Sequence, residues 1–285
     1  MGSPLDELLD LLDLEQFERD IFRGRSPEDS PQRVFGGQVA GQALVAAGRS
    51  VPAERGVHSL HAYFLRPGDP TVPIVYLVDR IRDGRSFTTR RVVAVQRGEA
   101  IFHLSASFQV SEVGLDHASP MPEVPDPESL PTLPARLAPY AGRLPAFWAK
   151  PRPIDLRYVE DPPWATQDSP GREPRQNVWL RTDGVLPDDP LLHVCALTYA
   201  SDMTLLDSIL LAHGLAWDGG QRLRGASLDH AMWFHRPFRA DDWLLYAQES
   251  PTAFGARGLA RGQIFTREGR LAVSVVQEGL LRVTD

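Results

Sequence analysis

The sequence predicts an α+β fold made of two diverged copies of one unit, each a central helix wrapped by a curved antiparallel sheet. The first observation behind this is an internal repeat. His61-Ala62-Tyr63-Phe64-Leu65-Arg66-Pro67 returns as Ala231-Met232-Trp233-Phe234-His235-Arg236-Pro237, with the Arg-Pro pairs 170 positions apart, and Arg90 and Gly98 are matched by Arg261 and Gly269 at an offset of 171. The second is an order of elements, helix then strands, that recurs with the residues. The third is a proline-rich stretch that separates the copies. The copies differ most where Phe35-Gly36-Gly37-Gln38 becomes Tyr199-Ala200-Ser201-Asp202. A carboxylate thus enters one copy only, which implies one working site and one retired one.

The elements follow in order. Leu5, Leu8, Leu9 and Leu12 stand at i, i+3, i+4 and i+7 among acidic residues, the pattern of an amphipathic helix docked on an apolar surface. Residues 39–47 are apolar nearly all round and read as a buried helix, with Gly41 and the alanines admitting a sheet at close range. Strand signals occupy 57–65, 74–81, 87–96 and 100–110, separated by turns at Arg66-Pro67-Gly68, Asp83-Gly84 and Arg97-Gly98. Pro120, Pro122, Pro125, Pro127, Pro131 and Pro134 lack a backbone donor and bias their predecessors away from helix, so this stretch reads as an extended linker with at most a short helix around 135–149. The second unit is expected to place its helix at 202–213, stopped by Gly214 in the left-handed position, with strands near 227–234, 243–250, 258–265 and 270–281. Two such units joined edge to edge leave few exposed edge strands. The result is a double hotdog, divided as 1–112 (first hotdog with its leading helix), 113–153 (proline-rich linker) and 154–285 (second hotdog, carrying the catalytic residues).

Composition narrows the functions. A net charge of −7 argues against nucleic acid and anionic membrane as partners, since both require a positive field. A polyanionic small ligand would need a local arginine cluster. The single Cys195 excludes an internal disulfide framework and fits a reducing compartment. No run approaches the roughly 20 apolar residues of a membrane span, the acidic start is unlike a signal peptide, and Arg282-Val283-Thr284-Asp285 is not a peroxisomal address. The expectation is a cytoplasmic protein without stable membrane insertion.

In the repeat and the blocks around it, the chain resembles the type II acyl-CoA thioesterases, the TesB-like double-hotdog enzymes. The matching blocks are Val34-Phe35-Gly36-Gly37-Gln38, the segment from His58 to Gly68, Tyr199-Ala200-Ser201-Asp202, the run from Leu228 to Phe238, and Val276-Gln277-Glu278-Gly279. The resemblance implies hydrolysis of a fatty acyl-CoA to free acid and coenzyme A by a water held by an Asp, a Thr or Ser, and a Gln, with no metal, cofactor or covalent intermediate. Those roles fall on Asp202, Ser227 and Gln277. Serine keeps the hydroxyl but lacks the β-methyl that restricts a threonine rotamer. A homo-oligomer is the family expectation.

The chemistry asks for little else. A thioester has a tolerable leaving group and lacks an oriented nucleophile and a place for the oxyanion. Asp202, expected where the second helix begins, would stay ionised beside the positive end of its dipole and accept the water's proton. Ser227 and Gln277, on different strands, would orient that water. Backbone N–H groups at the Gly36-Gly37 helix start, with Gly37 as the named candidate, would take the developing oxyanion. On capping preferences alone Asp202 reads as a helix N-cap, and Ser227 and Gln277 read as ordinary strand residues; only the resemblance assigns them to the water.

Other constellations carry less. His58 and His61, like His230 and His235, are not on one strand face and make no metal pair. Asp229 and His230, adjacent on a strand, point to opposite sides and are read as structural. Gly36-Gly37 with Gly41 fits neither dinucleotide nor P-loop spacing, and no G-x-S-x-G elbow is present. Cys195 reads as a small core residue, and the sequence from Asp189 to His193 is only a partial match to a hotdog hydratase motif. Phe64, Trp233 and Phe234 are candidate groove liners, although ordinary burial statistics make core positions of at least half of them. Arg90, Arg91, Arg257 and Arg261 are candidates for the CoA phosphates. An enoyl-CoA hydratase and a silent acyl-CoA-binding protein remain as alternatives.

Overall fold

The computed structural model describes residues 2–27, 33–142, 144, 148, 150–217 and 222–284. The chain opens with helix α1 (Pro4–Leu12), started by a reciprocal cap in which Ser3 Oγ accepts from Asp6 N and Asp6 Oδ2 accepts from Ser3 N. Its Leu5, Leu8 and Leu12 are buried, each worth about 1.5–3 kcal/mol of apolar burial. Two short strands follow, β1 (Glu15–Glu18) and β2 (Ile21–Gly24), turned at Asp20 with φ +65°. Sequence patterning does not reveal them, because four residues are too few to show an alternation.

Helix α2 (Gly36–Gly48) is buried almost throughout, and four strands come next: β3 (Arg55–Phe64), β4 (Ile74–Asp83), β5 (Phe87–Gln96) and β6 (Glu99–Val110). Among the described residues the linker carries the short helix α3 (Leu133–Leu137), overlapping the start of the short helix expected around 135–149, part of which lies outside the described residues. The second unit contains β7 (Ile154–Tyr158), β8 (Arg175–Thr182), α4 (Pro190–Ser201), α5 (Asp207–His213), β9 (Leu223–Ser227), β10 (Asp229–Phe234), β11 (Leu244–Phe254), β12 (Arg257–Thr266) and β13 (Leu271–Val283).

All pairings are antiparallel, and the main path runs β1-β2-β4-β5-β6-β3-β10-β13-β12-β11-β8-β7, with β9 added beside β13. This order reads the same from either end once the second unit's strands are matched to the first's. The halves meet where β3 pairs with β10, as edge-to-edge joining predicts, and the fold is the double hotdog. Helices α2 and α4 pack on each other over the sheet. A Cβ on Gly41 would lie 3.2 Å from Cys195 O and 3.3 Å from Leu12 Cδ2, so this glycine admits neighbouring helices rather than the sheet.

Two expectations need correction. The expected helix at 202–213 is a turn followed by the short α5, closed at Gly214 with φ +60° as predicted; the second unit's helix against α2 is α4, started by Asp189 Oδ1 accepting from Leu191 N with Pro190 in the first position. The repeat register also shifts. Arg91 bonds Asp79 and Arg261 bonds Glu249, both at 2.6 Å and 170 residues apart, so Arg261 corresponds to Arg91 and not to Arg90. Thr266 N bonds Arg270 O across three residues where Gln96 faces Glu99 across two, and this one extra residue is why Gly98 (φ +80°) and Gly269 (φ +84°) are 171 apart.

The linker crosses the outer face of the second unit. Met121, Val124 and Leu130 pack on Trp179, Trp243 and Phe265, Trp179 Nε1 donates to Pro125 O at 2.9 Å, and Arg236 pairs with Asp116.

Candidate active site

The three residues assigned by resemblance converge from three separate elements. Asp202 follows the last turn of α4, Ser227 ends β9, and Gln277 lies in the middle of β13. Gln277 Nε2 donates to Asp202 Oδ1 at 2.6 Å and to Ser227 Oγ at 2.8 Å, and Ser227 Oγ donates to Asp202 Oδ1 at 3.2 Å. Gln277 is fully buried. Strand β9 ends at Ser227, where Leu228 keeps its N–H on Glu278 O of β13 (2.9 Å) but turns its carbonyl to Phe64 N (3.0 Å). That diversion brings a first-half strand end against the second-half site.

Asp202 is at the C-terminal end of its own helix, so the dipole argument made from the sequence fails for α4. The positive helix end beside it belongs to α2 of the other unit. The Gly37 N–H is directed at the Asp202 carboxylate and favours its charged form, whereas burial, the larger effect, holds the carboxyl above the ordinary aspartate value. Gly36 and Gly37 are required for this approach: a Cβ on Gly36 would lie 2.6 Å from Asp202 Oδ2 and 2.8 Å from the Phe64 ring, and one on Gly37 would lie 2.3 Å from Tyr199 O.

The site opens into a cavity of about 480 Å³ lined by Phe35, Val39, Phe64, Phe102, Leu206 and Trp217 among others. Of the aromatic candidates only Phe64 lines it; Trp233 instead stacks edge-on with His61, and Phe234 packs on the core. None of the described linker residues lines it. A second hollow of about 540 Å³ lies between α3 and β7 and holds none of the candidate residues.

The sequence reading missed Asp207, a buried carboxyl on the cavity wall that accepts from Trp217 Nε1 at 2.7 Å and that burial pushes up to about 7. It also read His230 as merely structural. Asp229 and His230 do point apart, with Asp229 Oδ1 accepting from Glu278 N at 2.7 Å, but His230 Nδ1 lies 3.1 Å from Gln277 Oε1. Cys195 is fully buried and its thiol is pushed up by burial, as a core residue's would be.

The four arginines considered for the CoA phosphates are all engaged elsewhere. Arg90 is buried against Ser50 and Asp83, Arg91 pairs with Asp79, Arg257 with Glu278 and Arg261 with Glu249. At the cavity's Gly225–Ala226 wall a second depression carries Arg33, Arg224 and Arg282 instead.

This architecture and site place the molecule in the class of hotdog thioesterases. The second half, residues 150–280, matches the family model described as acyl-CoA thioesterase, and residues 26–109 match that of the acyl-CoA thioesterase N-terminal domain. Acyl-coenzyme A thioesterase 8 of Mus musculus is 45% identical, over 96% of this chain and 88% of the mouse protein. Acyl-CoA thioesterase 2 of Haemophilus influenzae is 41% identical over the whole of both chains. The crystal structure of acyl-CoA thioesterase II TesB2 from Mycobacterium marinum superposes with a TM-score of 0.79 at 48% identity, covering 97% of this chain and 98% of that one. The chain belongs to the acyl-CoA thioesterase family, and the activity it carries is hydrolysis of acyl-CoA thioesters.

Proposed function

We propose that Asp202, Ser227 and Gln277 hold the water that attacks the thioester carbonyl directly. The observation that carries this reading is the convergence of a carboxylate, a hydroxyl and an amide from three elements beside one apolar cavity. Ser227 and Gln277 orient the water, and Asp202, made more basic by burial, takes its proton as the oxygen bonds to the carbonyl carbon. Amides at the start of α2 other than the Gly37 N–H, which is directed at Asp202, stabilise the oxyanion. Collapse breaks the C–S bond, and the proton on Asp202 passes to the departing thiolate. Single turnover in ¹⁸O-water tests the route. Direct attack puts the label into the first molecule of acid released, whereas an acyl-Asp202 anhydride opened by water at its Asp carbonyl would leave the label on Asp202 and release unlabelled acid.

The acyl chain occupies the apolar cavity, and the phosphates of CoA lie on Arg33, Arg224 and Arg282 where the second depression adjoins it. Arg224 and Arg282 are direct cross-strand partners in β9 and β13, a like-charge pairing that is destabilising until an anion bridges it. Among the described residues neither forms an ion pair. The compartment we infer is the cytoplasm, on the strength of the single, buried Cys195. A homo-oligomer is supported by Leu77 and Ile81, two large apolar side chains exposed four residues apart on β4.

A further inference from the structure

The geometry points to His230 as the positioning residue of this site: its Nδ1–H fixes which way round the Gln277 amide lies, and so decides that a donor and not an acceptor faces Asp202. The inference rests on the water-holding role proposed for Gln277. Gln277 carries one acceptor and one donor end, and the two ends are nearly identical in shape. With Nε2 on Asp202 Oδ1 and Ser227 Oγ, Oε1 is left facing His230 Nδ1 at 3.1 Å. A carbonyl oxygen only accepts, so Nδ1 must carry hydrogen for this contact to be a bond.

His230 is fully buried, and burial keeps its imidazole neutral, with a single ring proton. That proton therefore sits on Nδ1, and Nε2 presents a lone pair to Ser201 Oγ at 2.8 Å. The Ser201 hydroxyl has three acceptors in reach, His230 Nε2, Thr198 O at 2.9 Å and the softer Met232 Sδ at 3.5 Å. Donation to Nε2 completes a chain running from Ser201 through His230 and Gln277 to Asp202. The opposite tautomer would set the Nδ1 lone pair against Oε1. The amide would then turn over and present Oε1 to the Asp202 carboxylate, leaving two acceptors in contact beside the attacking water. His230 touches neither water nor thioester in this scheme and acts only through Gln277.

The test compares His230→Asn, whose amide can supply a donor near the Nδ1 position, with His230→Leu, which supplies none. Both lose the Ser201 contact, so a purely structural role lowers them together. The expected result is that His230→Leu loses about 10²-fold in kcat, the scale of a misplaced reacting group, at nearly unchanged KM, while His230→Asn recovers most of it. In a Gln277→Ala background the His230→Leu change should add almost nothing. Equal losses in the Leu and Asn variants, or the same loss with and without Gln277, would overturn the proposal. If Gln277→Ala keeps wild-type kcat, the water-holding reading fails first and takes this one with it; if Gln277→Ala is slow but His230→Leu is fast, only the positioning role fails. Nitrogen-15 NMR of the histidine-labelled wild type, assigned by loss of the signal in His230→Asn, reads the tautomer independently of folding in the Leu variant. Hydrogen on Nδ1 is expected, and hydrogen on Nε2 alone refutes the scheme.

Discussion

Replacing Asp202 by Asn separates water activation from helix capping. The amide has the size of the carboxylate, and its oxygen can still accept from Gln277 Nε2 and Ser227 Oγ, which stand at 2.6 and 3.2 Å from Oδ1. What disappears is the charge and the ability to take a proton. A general base contributes about 10²–10⁴ in rate, or about 2.7–5.4 kcal/mol of barrier at 1.36 kcal/mol per tenfold. Stability should move the other way. Burial raises the Asp202 pKa in the fold, so its ionisation opposes folding: the protein loses stability as pH rises from the unfolded carboxyl's value through the folded one. At neutral pH the Asn variant should therefore melt at the wild-type temperature or slightly above it. Free-thiol release from an acyl-CoA and a thermal melt, run on the same preparations, read both quantities. The acid limb of wild-type kcat/KM should lie above 3.8, the ordinary aspartate value, and vanish from the residual activity of the variant. A rate loss below about tenfold would refute the base role. A large loss with a melting temperature lowered in step would instead mark the Asp202 charge as holding the start of α2, an effect of about 0.3–2 kcal/mol at a helix end.

Gly36→Ala should lose at least about 10²-fold in kcat, because its Cβ falls 2.6 Å from Asp202 Oδ2 and must displace the carboxylate or the Phe64 ring; wild-type kcat would show that neither position matters. Asp207→Asn should leave stability near wild type at about pH 4 and exceed it by about 2–4 kcal/mol at about pH 8, since the buried acid pushed up to about 7 must ionise across that window. Denaturant melts at the two pH values measure the gap, and a gap that does not grow with pH contradicts the assignment. The Arg224→Ala and Arg282→Ala double variant should raise KM for acyl-CoA about tenfold or more with kcat kept, and lose the wild type's preference for acyl-CoA over the acyl-pantetheine lacking the nucleotide phosphates. Equal KM values for the two substrates in the wild type would remove these arginines from the substrate site.

Much of the fold is legible because repetition and periodicity are local properties. The leucine spacing of α1, the apolar run of α2, the limits of β5 at 87–96 and the left-handed stop at Gly214 all lie within windows of a few residues. Other boundaries are ambiguous in sequence. Asp189-Pro190 is a helix start by composition, but Asp202 is a residue type equally suited to a cap, and spacing does not choose between Arg90 and Arg91 as the match of Arg261 until the ion pairs select Arg91. The short β1 and β2 are too brief for an alternating pattern and exist because β4 offers an edge to β2.

By itself the sequence determined the doubled α+β plan, the asymmetry between the copies and, through resemblance, the names of three site residues. Tertiary structure alone decided what surrounds them. That Asp202 meets the start of a helix from the other half, that Gln277 is held from behind by His230, and that Arg33, Arg224 and Arg282 gather by the cavity are relations between residues from 47 to 249 positions apart. Local propensity carries no information about such meetings. They arise when β3 pairs with β10, burying both units' helices against each other and fixing by register which side chains share a face.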